Sequence, residues 1–113
     1  MKTGIELIAI ERQEQIEKHK RTIGGDVKWN ADCQLSNAAA LLTYVDPEEL
    51  DGESNEDGTY DFKHCTPVGW LEFLFNKMMN KPYKERLIIA GALIAAEIDR
   101  LQKQENPLMY KPS

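Results

Sequence analysis

The sequence predicts an all-α fold, a compact bundle of about four helices around a buried C-terminal helix, with one long acidic loop. Three observations carry this. Residues 87–96 (Leu-Ile-Ile-Ala-Gly-Ala-Leu-Ile-Ala-Ala) hold no polar side chain, and a helix apolar on every face is expected to be wrapped on every face. Two stretches, from Thr3 and from Asp32, repeat apolar residues at helical spacing. Gly24-Gly25, Pro47 and Pro82 punctuate the chain between these stretches. Ten residues of helix rise about 15 Å, far less than a bilayer core, so the apolar run is expected to be a core helix and not a membrane span.

The first helix is expected over 3–22. Thr3 with Glu6 three residues later forms a capping box. Ile5, Ile8, Ala9, Arg12 and Ile16 then fall on one face, and Glu6, Gln13, Glu14, Glu17 and Lys20 on the solvated one. The connection through 22–32 carries Trp29 and is expected to pack on the body. Asn30 or Asp32 should cap a second helix over 32–46, with Leu35, Ala38, Ala39 and Leu42 inward. Pro47 ends it. Residues 46–66 are rich in Asp and Glu and read as an exposed loop with a turn at Asp57-Gly58-Thr59-Tyr60. A third helix is expected over 69–80, burying Trp70, Phe73, Leu74 and Met78. Pro82 should stand in the first turn of the last helix, 83–104. Residues 107–113 read as a tail, and 1–113 as a single helical domain.

Composition narrows the function. The 113 residues carry a net charge of −5 with 29% charged side chains, which argues against a DNA-binding surface built on clustered Lys and Arg. Met1-Lys2-Thr3 runs straight into a charged amphipathic pattern, so no leader peptide is expected. Cys33 and Cys65 read as free thiols in a reducing cytoplasm.

Buried charge is the main chemical signal. Arg12 interrupts the apolar stripe of the first helix, and Glu97 continues an apolar face of the last. Buried charges need partners, so an Arg12–Glu97 ion pair across the two helices is expected, with bidentate geometry. In a functional version, Arg12 with Arg86 or Arg100 holds an anionic ligand at a helix seam. The metal signals are weak. His64-Cys65 lacks the paired ligands of a structural zinc site. A calcium loop read from Glu53 places His64 where a bidentate Glu is required. Glu11, Glu14 and Glu17 make E-x-x-E pairs of the kind an all-helical nucleoside triphosphate pyrophosphohydrolase uses around Mg²⁺. Glu97 and Asp99, however, are two apart and point to different faces. No cofactor or metal is expected.

Three segments together resemble a broad set of small phage and prophage hypothetical proteins. They are Glu11-Arg12-Gln13-Glu14-Gln15-Ile16, Leu35-Ser36-Asn37-Ala38-Ala39, and Arg86 through Leu101. The set opens on E-R-x-x-Q-I, continues through an L-x-x-A-A helix and a tryptophan-containing turn, and closes on A-G-A-L-I-x-A-E-I-[DE]-R-L. The set's G-[WY]-T…D-D segment survives here only as Thr22 and Asp26, with Gly24-Gly25 replacing part of it. The resemblance implies a phage or prophage origin and a bacterial host cytoplasm, and it carries no established activity. Its motif positions coincide with the residue-level candidates at Arg12, Trp70, Arg86, Glu97 and Arg100, which are taken as ligand-binding residues. The leading expectation is therefore a non-enzymatic phage accessory protein that binds a small anionic nucleotide-type host ligand. The alternatives are the Mg²⁺-dependent pyrophosphohydrolase using Glu11, Glu14 and Glu97, and an interaction module that docks the acidic loop on a host protein. A homodimer or higher homo-oligomer is expected, because three helices cover only three sides of the last one. The small-residue ridge Gly91–Ala95, or Ala92–Ala96, is the expected seam. Neither DNA nor a membrane is expected as a partner.

Overall fold

A computed structural model describes residues 1–18, 25, 30, 32–51 and 53–105. Expectations for Lys20, Trp29 and the 107–113 tail fall outside the described residues, as does most of the 22–32 connection. The fold is all-α. Among the described residues, four helices exceed seven residues: α1 (Gly4–Glu17), α2 (Gln34–Leu42), α4 (Glu72–Met79) and α5 (Tyr83–Glu105). A single-turn helix, α3 (Glu48–Asp51), opens the acidic segment.

α1 starts where its capping box places it. The Thr3 hydroxyl accepts from the Glu6 backbone N–H, and the Glu6 carboxylate accepts from the Thr3 N–H. These bonds to Thr3 also hold the Glu6 carboxyl below its ordinary pKa. The helix ends at Glu17 with Lys18 as its C-cap, earlier than the expected 22. α2 is also shorter than expected. It starts after Cys33, whose φ is +65°, and ends at Leu42, four residues before the residue that precedes Pro47. The reason is tertiary, since the carbonyls just past Leu42 are taken by a side chain of α5. Pro82 stands immediately before α5, and its carbonyl accepts from the Arg86 N–H.

The core joins Leu35, Ala38, Ala39 and Leu42 of α2 to Phe75 and Met79 of α4. Ile89, Ala90, Leu93 and Ala96 of α5, with Phe62 from the acidic segment, complete it. α5 packs on α2 along one side and on α1 along another. The buried face of α4 differs from the expected one. Phe75 and Met79 are inward, whereas Phe73 and Leu74 are exposed. The helix starts at Glu72, three residues later than expected; Trp70 and Met78 pack against the core as expected.

The described residues do not wrap α5 on every face as expected. Leu87, Ile94, Ile98 and Leu101 face solvent. The expected dimer seam is also corrected, because both small-residue ridges are used inside the chain. A Cβ on Gly91 would stand 2.6 Å from Ile8 Cδ1 of α1, and Ala92 and Ala96 are fully buried. Small residues there let α1 and α2 approach the α5 backbone.

Candidate functional site

The charged residues singled out by sequence sit at three separate places along α5. Near its start, Arg86 is buried at 3% exposure and serves the backbone. Its Nε donates to the Lys81 carbonyl at 3.0 Å. One terminal nitrogen donates to the Leu42 carbonyl at 2.9 Å and also to the Tyr44 carbonyl. The other donates to the Val45 carbonyl at 3.3 Å. Arg86 thus closes the C-terminal end of α2: Thr43 and Tyr44 serve the Ala39, Ala40 and Leu41 carbonyls, and Arg86 takes that of Leu42 and two beyond it. The Tyr83 ring lies 5.3 Å from its guanidinium carbon.

Near the other end of α5, Arg100 and Glu97 are both buried, and the Arg100 Nε donates to the Glu97 carboxylate one turn back. The expected Arg12–Glu97 pair is therefore a correction. Arg12 instead reaches Asp99, 3.4 Å from nitrogen to oxygen. Two residues are about 200° around a helix, so Glu97 and Asp99 serve different neighbours, and α1 lies on the Asp99 side. Beside Arg12 is Gln15, buried at 4% exposure, whose amide nitrogen donates to the Glu11 carboxylate at 3.2 Å. Gln15 was read as neither core nor site. The signal for it was its position one turn beyond Glu11 and Arg12, on the flank of the stripe that faces α5.

Arg86 and Arg100 are 14 residues apart on α5, about 21 Å along the axis, so they cannot share one small ligand. Trp70 belongs to a further place. Its indole N–H donates to the Asn30 side chain at 2.8 Å, and its ring meets Phe75 edge-on at 6.2 Å. The five candidates do not converge. Glu11 and Glu14 do not gather a metal site either, since among the described residues no three His, Cys, Asp or Glu side chains are placed to hold a metal ion.

The acidic segment is built, not loose. After α3, strand β1 (Glu53–Ser54) pairs antiparallel with β2 (Tyr60–Asp61), Glu53 opposite Asp61 and Ser54 opposite Tyr60. The expected turn is present. Gly58 takes φ +86°, a conformation glycine adopts without strain. The Asp57 carboxylate accepts from the Thr59 hydroxyl at 2.6 Å and the Thr59 N–H at 3.0 Å, which lowers its pKa. Asn76 on α4 and Asn80, its C-cap one turn on, bind the outer edge of β2 as a neighbouring strand would. Asn80 accepts from the Tyr60 N–H at 2.8 Å and donates to the Tyr60 carbonyl at 2.9 Å. Asn76 accepts from the Phe62 N–H at 2.8 Å and donates to the Asp61 carboxylate at 3.2 Å. Phe62 then enters the core with no exposed surface. A short 3₁₀ turn (Lys63–Cys65) returns the chain.

Asp46, Glu48, Glu49, Asp51, Glu53, Glu56, Asp57 and Asp61 all fall in 46–61, without one Lys or Arg. The whole chain is only −5, so everything outside this lobe is net positive. Sequence reasoning found the charge and the turn. It missed the two-asparagine clamp, whose signal was a pair of amides at i, i+4, Asn76 within the helix and Asn80 at its C-cap.

The chain matches no protein-family model, no curated protein and no solved structure. Among the described residues no helix is long and apolar enough to cross a membrane. Neither Cys33 nor Cys65 is in a disulfide, and the Cys65 thiol donates to the Phe62 carbonyl at 3.5 Å.

Proposed function

We propose that this chain is a non-enzymatic phage or prophage accessory protein of the bacterial cytoplasm, and that it acts by docking its acidic lobe on a basic host protein. The observation that carries this reading is the anchored lobe. Residues 46–61 hold eight Asp and Glu and no Lys or Arg, on a hairpin that Asn76, Asn80 and Phe62 fix to the body. An ordered scaffold lowers the conformational entropy lost on binding, and an unbalanced field steers a partner of opposite charge. The anionic-ligand alternative is less well served. Arg86 is engaged by backbone carbonyls, Arg12 by Asp99 and Arg100 by Glu97.

The test is capture from bacterial lysate by the tagged chain, beside a variant carrying Asp46→Asn, Glu49→Gln and Glu56→Gln at exposed positions of the lobe. The expected result is a basic protein retained at low salt, lost as salt rises, and weakened in the variant. Equal recovery of the same protein by parent and variant at every salt concentration refutes the reading.

A further inference from the structure

From Arg86 to Arg100, the exposed residues of α5 are Leu87, Ile94 and Ile98, and Leu101 continues the same row. Ile94 is 47% and Ile98 51% exposed. A helix lying on the surface of a bundle presents charged and polar residues to water, and here that face is entirely aliphatic. The row 87, 91, 94, 98, 101, 105 advances by alternating steps of four and three. Any straight stripe along an α-helix has this spacing; what sets this one apart is that its exposed side chains are aliphatic, as in a helix-pairing seam.

We propose that a second copy of this chain covers this face, the two α5 helices packing antiparallel about a two-fold axis at Ile94. The pattern of the row fits its own mate in that direction. A two-fold at Ile94 sets Leu87 against the partner's Leu101, and Ile94 against the partner's Ile94. Gly91, already covered by Ile8 of α1, lies at the flank of this seam and takes no partner side chain. The ends carry opposite charges, since Lys84 and Glu105 are both exposed and stand one seam step beyond the apolar row. Antiparallel pairing brings Lys84 to the partner's Glu105 at both ends. Parallel pairing would set Lys84 beside Lys84 and Glu105 beside Glu105, which is repulsive. Charges at the ends of a helical seam select orientation in this way. The surface is distinct from the acidic lobe, so the inference stands apart from the docking role proposed above.

Light scattering coupled to size exclusion across micromolar concentrations tests it. The parent chain is expected to show twice its 12.9 kDa mass, dissociating on dilution. Ile94→Glu places two carboxylates at the axis and is expected to weaken the dimer about tenfold or more. Its helix content by circular dichroism should be unchanged, because Ile94 is outside the core. Lys84→Glu is expected to weaken the dimer and the double exchange Lys84→Glu/Glu105→Lys to restore it, a rescue that requires the two positions to meet. In a Cys33→Ser/Cys65→Ser background, Ile94→Cys is expected to form a disulfide-linked dimer on diamide oxidation, and Leu87→Cys to stay unlinked. A parent that remains monomeric throughout overturns the proposal, as does a dimer indifferent to Ile94→Glu. Failure of the charge exchange to restore pairing, or equal cross-linking at 87 and 94, overturns the antiparallel register.

Discussion

Replacing Arg86 with Met asks whether this buried arginine holds α2 and α5 together. The variant keeps an apolar stem of similar reach and removes the five-donor head. Four carbonyls lose their donor: Leu42, Tyr44, Val45 and Lys81. The bond to Leu42 is buried, and an orphaned buried acceptor costs about 1–3 kcal/mol. The other three lie nearer the surface and can turn partly to water, at about 0.5–1.5 kcal/mol each. The stacking of Tyr83 on the guanidinium adds about 0.5–1 kcal/mol. Against these losses stands the relief of not burying a charge. The net expectation is a loss of about 3–5 kcal/mol, a large part of the 5–15 kcal/mol typical of a domain. Urea unfolding followed by circular dichroism at neutral pH reads it as a lower midpoint at an unchanged m-value. Arg86→Lys should recover only part, because an ammonium cannot span the separated carbonyls that the planar head reaches. Stability within about 1 kcal/mol of the parent for Arg86→Met would refute the argument. It would mean that these carbonyls find water as readily as the guanidinium.

Two further substitutions probe α5. Gly91→Ala gains about 1 kcal/mol of helix propensity but drives its Cβ to 2.6 Å from Ile8 Cδ1 and 2.9 Å from Cγ1. Overpacking costs about 1–3 kcal/mol, so a net loss of up to about 2 kcal/mol is expected. Ile8→Val, which deletes Cδ1, should soften it, and strictly additive effects in the four-variant cycle would show that the two residues do not meet. Arg100→Met leaves Glu97 buried without its partner and should cost about 3–5 kcal/mol by chemical denaturation, whereas Glu97→Leu/Arg100→Met should recover at least half. A double variant as unstable as the single one would show that Arg100 serves something more than Glu97.

Local signals were legible wherever a residue's own chemistry or its near neighbours decide the outcome. The Thr3–Glu6 box, the inward Leu35, Ala38, Ala39 and Leu42, the Asp57–Thr59 turn and the span of α5 were all readable, because each depends on contacts within a few residues. Arg12 was rightly read as inward-facing and wrongly given Glu97. Helical periodicity shows which face a residue lies on, but Glu97 and Asp99 both offer a carboxylate, and only the position of α1 chooses between them. Phe73 and Phe75 posed the same problem on α4. Both are aromatic and two apart, and the Asn76–Asn80 clamp on β2 determines which one turns inward.

Composition and period alone established that the chain folds as helices around its C-terminal one, that Arg12 and Glu97 lie on inward faces, and that residues 46–61 form a strongly acidic unit. These follow from composition and period, which burial and hydrogen bonding translate directly into local structure. Only the tertiary structure decided which partners those groups take. Arg86 caps α2, Gly91 receives Ile8, and the acidic segment becomes a clamped hairpin with Phe62 in the core. It also decided that the aliphatic row from Leu87 to Leu101 remains uncovered by the described residues. The physical reason is that burial depends on how many neighbours reach a face, a property of the arrangement in space and not of any one segment.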